Sequence, residues 1–309
     1  MSVISNLVAQ PNRIIVATEF VHGFGDKGAS REDLEKMLTP VPPSQQRQAG
    51  GMPGTDANEG SGTTIAAEVL NEMLRLKILE RTENEHLRVS AALSSHPPRA
   101  DWAGRLHDYL FPMLTIADAA NEHGQGDVPA ALCWLLQQSP TQPLEFSAGK
   151  HYNILASQVA EDDALVGSIR VDAKYHNAIY WARFLGFVER LTIKPLSEKV
   201  IADPTRAISI RLPLIFCEEQ QLTLQTFLQR LGAQIPVLDG GQVWHDIQGR
   251  LKEPMQEKHV SQATSLALLR LERAGKIKLE GLSDAVSWML EVGREAKSIS
   301  HITYLENLK

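Results

Sequence analysis

The sequence predicts a mainly α protein with small β wings, an α+β class in which tandem winged-helix domains are joined by helical linkers. Three observations predict it. LNEMLRLKILER, IYWARFLGFVER and LALLRLERAGKIKL share one plan, a leucine-rich helix followed at once by a short strand that ends in charge, and an internal repeat of this kind sets the architecture. The middle copy is the most clearly punctuated. Across Tyr175–Leu212, Ile179, Trp181, Ala182, Leu185 and Phe187 give an apolar face at roughly helical spacing before a switch toward alternation. Gly186 sits where a helix commonly closes in the left-handed conformation, and Asp203-Pro204 reads as N-cap and first-turn proline of a following helix. Third, 43% hydrophobic residues in 309 supply real cores.

Taken in order, Arg13–Val21 is an apolar run that periodicity leaves open between strand and helix, with Pro11 suiting a helix start. Ser30-Arg31-Glu32-Asp33 resembles a capping box for a helix Arg31–Leu38. Residues 39–62, rich in Pro, Gly, Gln and Ser, read as a long mobile loop. Thr63 or Thr64 caps a helix through Leu76, and Lys77–Arg81 with Leu87–Val89 forms a wing around Asn84-Glu85. Asp101 caps a helix over Trp102–Phe111 that Pro112 ends or restarts, and Asp127 caps another closed by Pro140. Ile154–Ile169 is helix-forming, Leu222–Leu231 is amphipathic, and Gly240-Gly241 precedes a helix Gln242–Leu251. Ser261 caps a helix ending at Gly275, Lys276–Leu279 is a strand, and Ile302–Leu305 pairs with it around a helix Leu282–Val292. The domain scheme is a winged helix at 1–92, a helical linker at 93–150, a central winged helix at 151–218 and a C-terminal helical or winged-helix region at 219–309.

Chemistry-bearing motifs are few. Gly23-Phe-Gly-Asp-Lys-Gly28 matches G-x-G-x-x-G but lacks the second strand and acidic residue of a dinucleotide fold, so a turn between two helices is its expected use. No P-loop, H-E-x-x-H or G-x-S-x-G occurs, and the ten histidines show no ligand spacing. The expectation is therefore a non-enzyme with no cofactor and no metal. Cys133 and Cys217 form no CxxC pair and read as small buried apolar residues. No stretch approaches the ~18 apolar residues of a membrane span, and the first residues lack a secretory pattern, so cytoplasmic residence is expected.

A net charge of −6 argues against a uniformly basic surface. From Arg170 to Arg211, however, eight basic residues face four acidic ones. Lys194 and Lys199 fall on the predicted wing, where phosphates are reached, with Arg190 on its first strand. Lys174, His176, Asn177 and Arg183 lie on or near the preceding helix, where base edges are met. These seven residues are the candidate DNA-binding set. The alternative is an ordinary solvated face on a winged helix that contacts protein. The aromatic residues Tyr175, Tyr180, Trp181, Phe184 and Phe187 read first as core.

Tyr180-Trp-Ala-Arg-Phe-Leu-Gly-Phe187, Ala202-Asp-Pro-Thr-Arg-Ala207 and Leu231-Gly-Ala-Gln-Ile-Pro-Val-Leu-Asp-Gly-Gly241 resemble the bacterial DpdG family. That family is found in gene clusters that insert 7-deazaguanine bases into DNA and restrict unmodified invading DNA. The resemblance implies a restriction or anti-phage role beside other defence proteins, such as a helicase/ATPase or a nuclease. It carries over no catalytic residue. Two other readings stay open: a structural adaptor like the winged-helix subunits of condensin-type complexes, docking an ATPase, and a transcriptional regulator.

Overall fold

In a computed structural model the described residues are 2–39, 64–95, 101–147, 149–193 and 197–305. The expected loop 39–62, beyond Thr39, and Lys194 lie outside them. Helices dominate, with four small sheets among the described residues, in keeping with the α+β class. None of the described helices is long and apolar enough to cross a membrane. The chain forms two compact units, Val8–Leu110, and Met1–Leu7 together with Phe111–Lys309.

The smaller unit begins with the helix Pro11–His22, which resolves the strand-or-helix ambiguity in favour of the proline at its first turn. Ser30 caps the helix Arg31–Leu38 by accepting from Asp33 N, and Thr64 caps Ile65–Arg75 by accepting from Ala67 N. Val69, Leu70, Met73 and Leu76 are buried, whereas Ile65 stays exposed. The strands Leu79–Arg81 and Leu87–Val89 pair antiparallel. Gly28 explains the glycine-rich turn. At φ 62° it stands so close to Leu87 that a Cβ there would lie 2.5 Å from the Leu87 carbonyl oxygen. That approach lets Ala29 and Leu87 exchange backbone hydrogen bonds, Ala29 N to Leu87 O at 3.1 Å and Leu87 N to Ala29 O at 2.9 Å. The helix Trp102–Thr115 runs through Pro112 rather than ending there. Leu106, Leu110 and Leu114 recur at four-residue spacing and all are buried, which offsets the missing N–H.

In the larger unit the order of elements recurs twice. After the helix Val128–Leu136 come the strand Leu144–Glu145, the helices Lys150–Gln158, Ala164–Ile169 and Asp172–Leu185, and the hairpin Val188–Ile193 with Ser197–Ala202. The sheet places Ser197–Ala202 between Leu144–Glu145 and Val188–Ile193. After the helix Thr205–Phe216 come the strand Gln221–Thr223, the helices Leu224–Gln234, Gln242–Gln248 and Gln262–Arg273, and the strands Ile277–Glu280 and His301–Tyr304. Here His301–Tyr304 lies between the other two strands. The bridge at Ala29 gives the smaller unit a reduced form of this pattern, a single early bridging residue paired to the last strand and the last to the one before it.

Several local expectations change. Leu282–Val292 is not a helix: Trp288–Val292 is a strand that pairs antiparallel with Glu295–Ile299 and parallel with His259–Val260. Gly293, at φ 62°, provides the turn. Asp127 does not cap its helix; its backbone is helical and its carboxylate accepts instead from Ser2 Oγ at 2.8 Å. Pro204, not Asp203, is the N-cap of the helix Thr205–Phe216; Asp203, one residue earlier, is buried, accepts from Thr205 N at 3.1 Å and forms an ion pair with Arg270, so it ties two helices together. Cys133 is buried as expected, but Cys217 is exposed.

Candidate nucleic-acid interface

The helix Asp172–Leu185 buries Tyr175, Asn177, Ala178, Ile179, Trp181, Ala182 and Leu185. It closes at Gly186, φ 84°, where a Cβ would meet Ala207 N at 3.2 Å and Arg206 Cβ at 3.3 Å. The residues left toward solvent are Asp172, Ala173, Lys174, His176, Tyr180 and Phe184, all half-buried, and the exposed Arg183.

The seven candidate DNA-binding residues divide sharply. Asn177 is 1% exposed and does not reach a base edge. Its Nδ2 donates to Val3 O at 2.6 Å and Asn6 O at 2.8 Å, so it fastens residues 2–7 into the larger unit. His176 stacks on Phe146 at 4.4 Å and its Nε2 donates to Phe146 O at 2.6 Å. Arg190 lies over the Phe146 ring at 4.1 Å and the Tyr180 ring at 5.5 Å and donates to Glu198 at 2.5 Å. Lys199 forms an ion pair with Glu145. The Lys199 ammonium holds the Glu145 carboxyl below the usual carboxylate range, with Lys150 adding to the effect. Lys174 Nζ reaches only Gly167 O, at 3.5 Å. Arg183 has no carboxylate partner among the described residues. Lys194 lies outside them.

Three candidates, His176, Arg190 and Lys199, therefore converge on the edge strand and the residue after it, Glu145 and Phe146. Sequence reasoning placed that segment inside a helical linker, and neither residue was among its candidates. The only signal was Leu144-Glu-Phe146, an apolar–charged–apolar triplet between Pro143 and Gly149, too short for periodicity to detect. Below the cluster, His151 and Tyr175 stack at 3.9 Å with ring planes 4° apart. Tyr175 Oη donates to Glu145 O at 2.8 Å, and burial raises its phenol pKa. His151 Nε2 meets Ile169 O at 2.9 Å, and burial lowers its imidazole pKa.

Chemically, the arrangement is a rigid aromatic–cation cluster with its charges matched, beside a few unmatched cations. Those are Arg183, Arg206 across Gly186, and Lys174, with Arg170 over Tyr152 at 5.1 Å. These half-buried ion pairs remove Arg190 and Lys199 from the supply of free positive charge.

The fold defines an α+β protein of repeated helix–strand units. A family model described as DpdG-like matches residues 1–285, and the chain belongs to the DpdG-like family. No curated protein matches it. No solved structure matches it either.

Proposed function

We propose that the chain is a non-catalytic winged-helix component of a 7-deazaguanine DNA modification and restriction system, contacting DNA through its middle segment and partner proteins elsewhere. The observation that carries this reading is the threefold recurrence of one topology. In two copies an early edge strand, and in the first a single bridging residue, pairs with the last strand of the wing, which is the connectivity of a winged helix. Membership of the DpdG-like family supports the defence setting. Within the middle copy, phosphate contact falls to Arg183, Arg206 and Lys174 rather than to Arg190 and Lys199. His176 and Asn177 hold the scaffold.

Fluorescence anisotropy with duplex DNA at low salt tests it. Each phosphate contact removed lowers the salt slope by about 1, so Arg183→Glu with Arg206→Glu is expected to weaken binding about tenfold or more and flatten that dependence. No binding by the wild-type chain at low salt, or no change in the double variant, defeats the proposal. A second reading, an adaptor that docks an ATPase as condensin-type winged-helix subunits do, is favoured by the neutralised Arg190 and Lys199 pairs and the net charge of −6. Co-purification with an ATPase that survives nuclease treatment, without DNA binding by the isolated chain, selects it.

A further inference from the structure

The first helix of the smaller unit, Pro11–His22, has two faces. Pro11, Ile14, Ala17, Thr18 and Val21 recur at helical spacing and are buried, with Thr18 Oγ1 donating to Ile14 O at 2.7 Å. The opposite face carries Asn12, Arg13, Val16 and Glu19, all exposed. Val16 is the anomaly. It is 61% exposed at the middle of that face, where a β-branched residue adds nothing to helix propensity.

Val16 does not stand alone. Asn12, Arg13, Val16, Leu38, Ile65 and Val69 line a largely apolar groove of about 350 Å³. Ile65 is 54% exposed, and so, at 59%, is Met37 beside Leu38. All of them belong to the smaller unit. An exposed apolar patch with polar edges marks a protein contact.

Charge says what covers it. Arg13 and Glu19 flank Val16, three residues to either side, and neither has an ion-pair partner among the described residues; Arg13 Nη1 donates only to Val8 O, at 3.0 Å. They cannot meet each other, because six residues place them about 9 Å apart along the helix axis and about 120° apart around it. The helix Arg31–Leu38 matches its charges internally instead, Arg31 with Glu35 at 2.6 Å and Lys36 with Glu32 at 2.8 Å, each pair four residues apart. A second copy of the first helix, laid antiparallel about a two-fold axis through Val16, resolves the mismatch. Val16 of one copy then meets Val16 of the other, and Arg13 of each stands opposite Glu19 of the other. That is the reciprocal contact an isologous interface requires. A different protein could cover the apolar residues, but it would not explain why the two charges are placed symmetrically about Val16.

We propose that the helix Pro11–His22 is a self-association surface, on which two copies of this chain pair antiparallel with Val16 at the centre and an Arg13–Glu19 ion pair on each side. The inference is independent of DNA contact by the middle segment.

Sedimentation velocity of the full chain over a concentration series tests this. Dimers are expected with a Kd of about 10–100 μM, the weak end of the scale, as suits a small interface. Arg13→Glu and Glu19→Arg are each expected to weaken self-association about tenfold or more, since each turns both ion pairs into like-charge contacts. An equimolar mixture of these two variants should associate as tightly as the wild-type chain, because every charged contact across the mixed pair again joins opposite signs. A chain that stays monomeric at several times the expected Kd overturns the proposal and leaves the face to a different protein. Dimers that neither reversal weakens overturn it as well, as does a mixture no tighter than the single variants. Both substituted positions are exposed, and circular dichroism checks that the variants fold.

Discussion

Replacing Asn177 by alanine separates two roles for one residue. As a base-reading group it would be lost without effect on folding. As placed here it joins Val3 O and Asn6 O by two hydrogen bonds of 2.6 and 2.8 Å, with Val3 and Ile4 fully buried. Each such bond contributes about 1 kcal/mol net, and stranding a buried carbonyl costs about 1–3 kcal/mol. Part of the strap keeps its other anchor, Val3 N donating to Gln125 Oε1 at 2.7 Å. The expected destabilisation is about 2–3 kcal/mol, which for a unit of this size lowers the melting temperature by roughly 5–10 °C. Tryptophan fluorescence is a suitable probe, because Trp134, Trp181, Trp244 and Trp288 all lie in the larger unit and only Trp102 in the smaller. Hydrogen exchange at Val3 and Asn6 should accelerate in parallel. An unchanged melting temperature combined with lost DNA affinity would refute the assignment and return Asn177 to the DNA-facing set.

Other perturbations follow from the packing. Gly232→Ala drives a Cβ into the Gly240–Gly241 backbone, which cannot yield as a flexible side chain would, so a loss of about 3 kcal/mol or more is expected in urea titration. Arg270→Ala leaves the Asp203 carboxylate, 4% exposed, without its cation but with its bonds from Thr205. With Arg270 itself half-exposed, about 1–2 kcal/mol is expected, below the cost of breaking a fully buried pair, and Asp203→Asn should reduce the penalty of losing Arg270. His151 adds a pH term. Burial lowers its folded-state pKa, so below the ordinary imidazole value the unfolded chain takes up a proton that the folded chain refuses. Stability should therefore fall as pH drops from about 6.5 through the depressed folded-state value, and His151→Phe, which keeps a ring against Tyr175, should flatten that limb.

Much of the fold was legible where one residue type has one conformational use. Gly186 and Ser30 marked a helix end and a helix start, and Gly28 the turn before the second helix. The helical copies were readable because Leu70, Met73 and Leu76, or Ile179, Ala182 and Leu185, repeat at the helical period. What escaped depends on partners distant in sequence. Leu144–Glu145 is a strand only because Val200 and Lys199 lie beside it, and two residues show no period. Trp288-Met-Leu-Glu-Val292 read as helical because alternation over five residues with Met and Leu is ambiguous; the hairpin partner after Gly293 decides it. The basic residues were found, but their availability was not. Whether Arg190 is free or held depends on Phe146 and Glu198, and whether Asn177 faces solvent depends on a segment more than 170 positions away.

That distance has a consequence for synthesis. Residues 2–7 are translated ahead of the Val8–Leu110 unit, and the partners that receive them, Gln125, Asp127 and Asn177, only after it. At about 5–20 residues per second the strap waits on the order of ten seconds before Asn177 exists to meet it. During that interval Val3 and Ile4 lack the partners that bury them in the finished chain. The larger unit must then close a loop across a folded insert, so its final step is a long-range docking event that the smaller unit has no need to await.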